Sequence, residues 1–203
     1  MKPPRAVVLD LGKVLVDFDY HITARALAPH CAVTMDQLRR LLDQSRLLHR
    51  YECGELSTPD FFAAVKAASG FRGGLAEFGA LFGDIFTPIA PMIDLHASLA
   101  ARGVPTFAFS NTNELAVRHL RERFGFMGKF TGLVLSFEHG AMKPDARLYA
   151  ALERTSGLRG MDLLYLDDRP ENIAAALERG WRAVLHESPP ASIAAVKQAG
   201  LPC

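Results

Sequence analysis

Disulfide pairs, membrane spans, zinc motifs and strong net charge are all missing from this chain, and each absence narrows what it can be. Three cysteines occur in 203 residues, Cys31, Cys53 and Cys203, widely spaced and without a CxxC pair. They are expected to be free thiols of a reducing compartment, not a disulfide framework. A formal net charge of +1 predicts no broad attraction to nucleic acid or to an anionic membrane, so positive charge that matters must be local. No apolar run approaches the roughly 20 residues that span a bilayer. The stretch between Arg5 and Asp10 is too short and too soon acidic for a signal peptide. A cytoplasmic protein is expected, monomeric by default, with a homodimer as the other option. The seven histidines show no HxxxH or HxH spacing, which argues against zinc.

What is present is an ordinary globular composition, 49% apolar and 22% charged, long enough for one packed domain with a modest insertion. Short apolar, β-branched runs at 6–9, 106–109, 133–135, 163–166 and 183–185 predict strands buried on both faces. Helical patterns at about 91–102, 113–124, 145–156 and 170–179 separate most of them. Gly103, Gly125, Gly157 and Gly180 stand just past the ends of those helices, as C-terminal caps. This alternation predicts an α/β protein: a Rossmann-like parallel sheet with helices on both faces.

From about residue 19 to 87 the pattern changes. No strand is expected there, only helices near 22–30, 34–50, 58–69 and 75–86, with Thr34 and Thr58 as N-caps and Pro59 at the first helical position. The predicted organisation is an α/β core of residues 1–18 and 88–203 and an all-helical cap of residues 19–87 over the sheet's working edge. Phe61, Phe62, Phe78, Phe82 and Phe86 are expected in the core of that cap, Arg39, Arg40 and Arg46 on a solvated helix face, and His21, His30 and His49 at the surface. Trp181 is expected to pack at a helix end.

Open parallel sheets bind ligands at the carboxyl ends of their strands. Asp10 stands at the end of the first strand, Ser110, Asn111 and Thr112 after the second, and Asp167 and Asp168 after the fourth. Lys143, followed by Pro144 and Asp145, precedes a helix. Alone, each has a plainer role: Asp10 in a turn, Ser110 or Asn111 as a helix cap, Lys143 in an exposed loop, the aspartate pair at a helix dipole. Together, three carboxylates, a hydroxyl, an amide and a lysine on one rim suit phosphoryl transfer. A carboxylate can attack phosphorus, magnesium takes hard carboxylate oxygens, and the cationic and neutral donors match the charge spread over the transferring group.

The run Val7-Val-Leu-Asp-Leu-Gly-Lys-Val-Leu-Val-Asp17 resembles the first motif of the haloacid dehalogenase superfamily. Phe107-Ala-Phe-Ser-Asn111 resembles its second motif, Met142-Lys-Pro-Asp145 its third, and Leu164-Tyr-Leu-Asp-Asp168, with Asn172 following, its acidic fourth. The four stand in the family's order over most of the chain, and the helical block falls where the family carries a helical cap. The branch most similar is the bacterial sugar-phosphate hydrolases acting on glucose 1-phosphate, through the Asp-Leu-Gly start, the Ser-Asn-Thr-Asn run at 110–113 and the segment Tyr51-Glu-Cys-Gly-Glu-Leu-Ser57. The resemblance implies a magnesium-dependent phosphatase of small phosphorylated metabolites. It makes Asp10 the nucleophile, Ser110 and Asn111 the phosphate-binding pair, and Lys143 the group that steadies both. Asp10, the Gly12 carbonyl and Asp167 would hold Mg2+, with Asp168 orienting that shell.

One departure stands out. Most family phosphatases carry an aspartate two residues after the nucleophile as general acid and base; here that position is Gly12. Asp17 is a candidate substitute, Lys13 adds a charge of open effect, and Glu52 and Glu55 are candidates for substrate contact. Two other readings stand beside the phosphatase: a 2-haloacid dehalogenase, which needs no magnesium and is disfavoured by the Asp167-Asp168 pair, and a non-catalytic ligand- or protein-binding module.

Overall fold

Four consecutive apolar residues, all fully buried, form the central strand β1 (Ala6–Leu9). Successive side chains of a strand point to opposite faces, so Val7 and Leu9 enter one apolar layer while Ala6 and Val8 enter another. The computed structural model describes residues 2–43 and 45–202. After β1 come β2 (Val16–Phe18) and the helices α1 (Tyr20–Leu27), α2 (Met35–Asp43), α3 (Arg46–Glu52), α4 (Thr58–Ser69) and α5 (Leu75–Gly83). The chain returns through β3 (Phe86–Pro88) to α6 (Ala90–Ala101), β4 (Thr106–Ser110), α7 (Glu114–Arg123), β5 (Gly132–Leu135), α8 (Ser136–His139) and α9 (Ala146–Ser156). It ends with β6 (Leu163–Asp167), α10 (Pro170–Glu178), β7 (Arg182–Leu185) and α11 (Pro189–Gln198).

The main sheet is parallel in every pairing, in the order β5-β4-β1-β6-β7. Met92, Leu95 and Leu99 of α6, Val117 and Leu120 of α7 and Val196 of α11 cover one face. Leu148, Tyr149 and Leu152 of α9 with Ile173 and Ala176 of α10 cover the other. Chain order reverses direction around β1: the sheet grows through β4 to β5, then returns to β6 on the opposite side. Ligands bind at such a switch point, off the carboxyl ends of the strands, and there β1, β4 and β6 deliver Asp10, Ser110 and Asp167.

The five helices α1–α5 close on a third apolar cluster that includes Leu27, Leu42, Tyr51, Phe61, Phe78 and Phe82, joined by Leu115 of α7. Several expectations for this stretch need correction. A strand does overlap the end of residues 19–87: β3 pairs antiparallel with β2, so the outgoing and returning chain are tied into a ribbon. Phe86 sits on that ribbon and packs against the sheet's core, not the helices'. The helix expected over 34–50 is two, with Ser45 accepting from Leu47 N to cap the second. Thr34 does cap α2, in a reciprocal arrangement with Gln37. At α4 the cap is Ser57; Thr58 is already helical, and its hydroxyl instead reaches Tyr51 and Glu114. Of the four glycines expected past helix ends, Gly103, Gly157 and Gly180 have φ between 66° and 76°, whereas Gly125 does not enter that region. Phe124, in extended conformation, ends α7 in its place. Cys31 and Cys53 are free thiols; Cys203 lies outside the described residues. Trp181 is buried, its indole N–H donating to Glu153. Among the described residues no helix is long and apolar enough to cross a membrane.

Candidate active site

Asp10 leaves β1 buried, with Leu11 N donating to its Oδ1 at 2.7 Å. Its Oδ2 lies 3.0 Å from Lys143 Nζ. The same ammonium donates to Asp167 Oδ2 at 2.6 Å and to the Phe109 carbonyl at 2.8 Å. It also stands over the rings of Phe109 and Tyr165, so a fully enclosed cation is matched by two carboxylates, a carbonyl and two π faces. Lys143 is joined to Pro144 by a cis peptide bond. Asp145 caps α9 by accepting from Arg147 N.

Asp167 accepts four hydrogen bonds. Oδ2 accepts from Lys143 and from the Tyr165 hydroxyl; Oδ1 accepts from Arg169 N at 2.8 Å and Asn172 Nδ2 at 2.9 Å. Burial alone would raise this carboxyl, but Lys143 and the hydrogen-bond donors outweigh it and hold it below its ordinary value. Asp10 moves the other way. Burial pushes its carboxyl up to about 7; Lys143 opposes the shift, while Asp167 and Asp168 add to it. Burial and the Asp167 charge also raise Asp168. Asp10, Asp167 and Asp168 each offer an oxygen within 4.8 Å of the others.

A cavity of about 460 Å³ opens over this cluster. Asp10, Gly12, Ser110, Asn111, Lys143 and Asp168 all line it, and Asp167, bonded to Lys143, lies beneath the wall with no exposure. Among the described residues Ser110 Oγ makes one long hydrogen bond, to the Asn111 carbonyl at 3.4 Å, and Ser110 lines the cavity. Asn111 is committed elsewhere: its Oδ1 accepts from Lys143 N at 2.7 Å and its Nδ2 donates to Lys143 O at 3.0 Å. Its side chain thus clamps the Lys143 backbone. Asn172 Oδ1 is buried with no partner among the described residues.

The residues left open by the motifs also separate. Lys13, at φ 60°, is ion-paired with Asp17 and lies 4.8 Å from the centre of the Phe18 ring. Asp17 is exposed and outside the cavity, and the Lys13 hydrogen bond holds its carboxyl below the usual value. Glu55 is exposed and paired with Arg50 at 3.1 Å. Glu52 alone of these acids lines the cavity.

Sequence reasoning did not find Phe18, Tyr20, Leu48 and Met142, the apolar wall, nor Arg169 at its rim. No local signal marks Phe18, Tyr20 and Leu48, which the β2–β3 ribbon and the helices after it bring to the cavity; Met142 and Arg169 are chain neighbours of Lys143 and Asp168. Tyr165 could have been suspected: a tyrosine on a strand buried on both faces needs a partner for its hydroxyl.

The profile of the haloacid dehalogenase-like hydrolase family matches residues 4–180. The chain belongs to that family. This hydrolase is 23% identical over 175 residues to the sesquiterpene phosphatase astK of Aspergillus oryzae, covering 85% of this chain and 84% of the relative. Among solved structures it resembles the HAD family enzyme bt-2542 of Bacteroides thetaiotaomicron in complex with magnesium and inorganic phosphate, at a TM-score of 0.79 and 17% identity over 90% of this chain and 93% of that one. It also resembles a predicted HAD-like family hydrolase from Porphyromonas gingivalis, at a TM-score of 0.79 and 22% identity over 96% and 97% of the two chains.

Proposed function

We propose that this hydrolase is a magnesium-dependent phosphatase of small phosphomonoesters that works through an acyl-phosphate on Asp10. The observation that carries the reading is the trio of carboxylates within 4.8 Å of one another beside a buried lysine. The charges of Asp167 and Asp168 oppose ionisation of Asp10, so a second cation beside Lys143 would favour its carboxylate, and the hard oxygen donors of the cluster suit magnesium. Asp10, the Gly12 carbonyl and the acidic pair would hold the ion. Within the pair, hydrogen bonding favours Asp168 as the ligand facing the cavity and Asp167 as the residue that positions Lys143, Arg169 N and Asn172. When bound, magnesium supplies positive charge that offsets repulsion between Asp10 and an anionic phosphate.

The protein's own groups do the rest. Asp10 attacks phosphorus as the ester oxygen departs, and water then releases phosphate and restores the carboxylate. Lys143 keeps Asp10 oriented and donates to the phosphate, as does the Ser110 hydroxyl. The block α1–α5, residues 19–87 in the sequence division, serves as a cap: it contributes Tyr20, Leu48 and Glu52 to the cavity wall. A sugar 1-phosphate is the proposed substrate, its ring seated against Phe18 and Tyr20. The same apolar wall, with Leu48 and Met142, favours as a second reading a phosphate ester of an apolar alcohol, the kind of substrate named for the Aspergillus relative. A cytoplasmic, monomeric setting completes the proposal, in keeping with the free thiols Cys31 and Cys53.

Phosphate release from a panel of sugar, aryl and isoprenoid monophosphates, with magnesium or with chelator, tests the proposal. Magnesium-dependent release is expected, and the ranking of esters chooses between the two substrate classes. No release from any ester under either condition overturns the assignment.

A further inference from the structure

Position 12 lacks the family's usual acid, and the structure shows why a side chain there is not simply missing. A Cβ on Gly12 would lie 2.8 Å from Phe18 Cε1, so the Phe18 ring occupies the space an aspartate would need. Phe18 and Tyr20 stand on the same cavity wall as Glu52, and a smaller adjoining recess, lined by Gly12, Ser110, Asn111 and Asn113, again includes Glu52. We infer that the Glu52 carboxyl supplies the proton transfers for which position 12 has no side chain. The inference rests on the phosphatase reading above and adds a catalytic residue to it.

Glu52 is held in place from the core side. Ser136 Oγ donates to its carbonyl at 2.6 Å, and the Asn113 side chain hydrogen-bonds its carboxylate. The neighbouring Tyr51 hydroxyl accepts from Leu115 N at 3.2 Å and is hydrogen-bonded to Thr58. Gly54, at φ 69°, lets the loop touch the core so closely that a Cβ would come within 2.1 Å of the Phe137 carbonyl. The segment carrying Glu52 is therefore fixed against the residues that follow β5 and β4, the second of which carries Ser110.

The competing acids are excluded by position: Asp17 and Glu55 are ion-paired outside the cavity, and Asp168 belongs to the carboxylate trio. The ionic groups around Glu52 are Lys13, Lys143, Asp10, Asp168 and Arg169 across the cavity, Glu114 on α7, and His49, Arg50, Cys53 and Glu55 along its own helix and loop. Burial dominates over all of these and pushes the Glu52 carboxyl up to about 7, opposed by the Asn113 hydrogen bond. Both protonation states are then populated near neutral pH, as an acid that must later act as a base requires.

In the first step an Asp10 oxygen bonds to phosphorus, the bond from phosphorus to the ester oxygen breaks, and the Glu52 proton passes to that departing oxygen. In the second, Glu52 carboxylate takes a proton from water as its oxygen bonds to phosphorus. The acyl-phosphate bond breaks, Asp10 leaves as carboxylate, phosphate is released and Glu52 is again protonated.

The test uses the magnesium-loaded protein, Glu52→Gln, and two probes: p-nitrophenyl phosphate, whose phenolate leaves unaided, and a primary alkyl phosphate, whose alkoxide does not. With the aryl ester, Glu52→Gln should give a stoichiometric burst of nitrophenolate at near-parent rate, then turnover slowed by roughly 10²–10⁴-fold for want of the base. With the alkyl ester it should give neither turnover nor phosphorylated protein by intact mass. In the parent, which needs no variant to fold, kcat/KM should fall as pH rises past about 7 for the alkyl ester and not for the aryl ester. Parent-like turnover of both esters by Glu52→Gln, loss of the aryl burst together with turnover, or identical parent pH profiles for the two esters would each overturn the inference. Failure of the parent on both esters is the separate failure of the phosphatase reading.

Discussion

Lys143 offers the sharpest test of how the site is held together. Its ammonium is enclosed between Asp10 at 3.0 Å and Asp167 at 2.6 Å. Treated as point charges in an effective dielectric of about 20, the 3.0 Å pair attracts by about 5 kcal/mol before desolvation is subtracted. Lys143→Met keeps much of the stem but leaves two buried carboxylates without their cation. Breaking a buried pair from one side costs about 3–5 kcal/mol, and Asp167 keeps its other three donors, which favours the low end. For a chain of this length a loss of that size lowers Tm by about 6–20 °C. The assay is thermal unfolding in chelator for the parent, Lys143→Met, Asp10→Asn and the double variant. Because Asp10→Asn removes one of the stranded charges, the double variant should be more stable than the sum of the singles allows, by a coupling of about 1–3 kcal/mol. Additive effects, or a Lys143→Met Tm within about 2 °C of the parent, would refute the claim that Lys143 is a buried counter-ion.

Further outcomes follow from individual contacts. Asn111→Ala removes both bonds that clamp the Lys143 backbone; it should cost about 1–3 kcal/mol and lower kcat, read by unfolding and by phosphate release. Gly54→Ala forces a left-handed conformation and a Cβ onto the Phe137 carbonyl; a loss of at least about 2 kcal/mol is expected, and parent-like stability would contradict the close approach. The Glu52 carboxyl has its folded value raised from 4.5 to about 7 by burial. Its contribution to stability is therefore complete below pH 4.5 and lost as pH rises to about 7. Glu52→Gln, which cannot ionise, should then be more stable than the parent at pH 8 by up to about 3 kcal/mol, with the gap closing near pH 4.5 in chemical denaturation. Asp10→Asn should abolish turnover while the fold persists; retained turnover would remove Asp10 from the mechanism.

Much of the fold and site was legible because the signals were local. Runs such as 6–9 and 163–166 are apolar or aromatic on both faces, which only a covered parallel sheet accommodates. The strand-end rule then points to Asp10, Ser110 and Asp167. Local patterning went wrong where two residue types compete for one role. Ser57 and Thr58 both suit an N-cap, and only the demand of Tyr51 and Glu114 for a partner assigns Thr58 to the interior. Three-residue strands such as β2 and β3 carry no periodicity to read, since each forms only against the other.

By itself, then, the sequence determined the parallel sheet, the helical insertion and the identity of the strand-end chemistry, because periodicity, caps and chain position are properties of neighbouring residues. Tertiary structure alone decided how those groups divide the work. Asn111 carries an amide N–H group that could donate to a phosphate, but the Lys143 backbone, 32 residues away, engages both ends of that amide. Asp167 and Asp168 are chemically identical neighbours, yet one is saturated beneath the cavity and the other faces it. Glu52 and Glu55 lie three residues apart, and the docking of α3 on Asn113 and Ser136 encloses the first while solvent and Arg50 keep the second. Burial and hydrogen-bond saturation depend on what packs against a side chain from far along the chain, and that is why folding was needed to tell these residues apart.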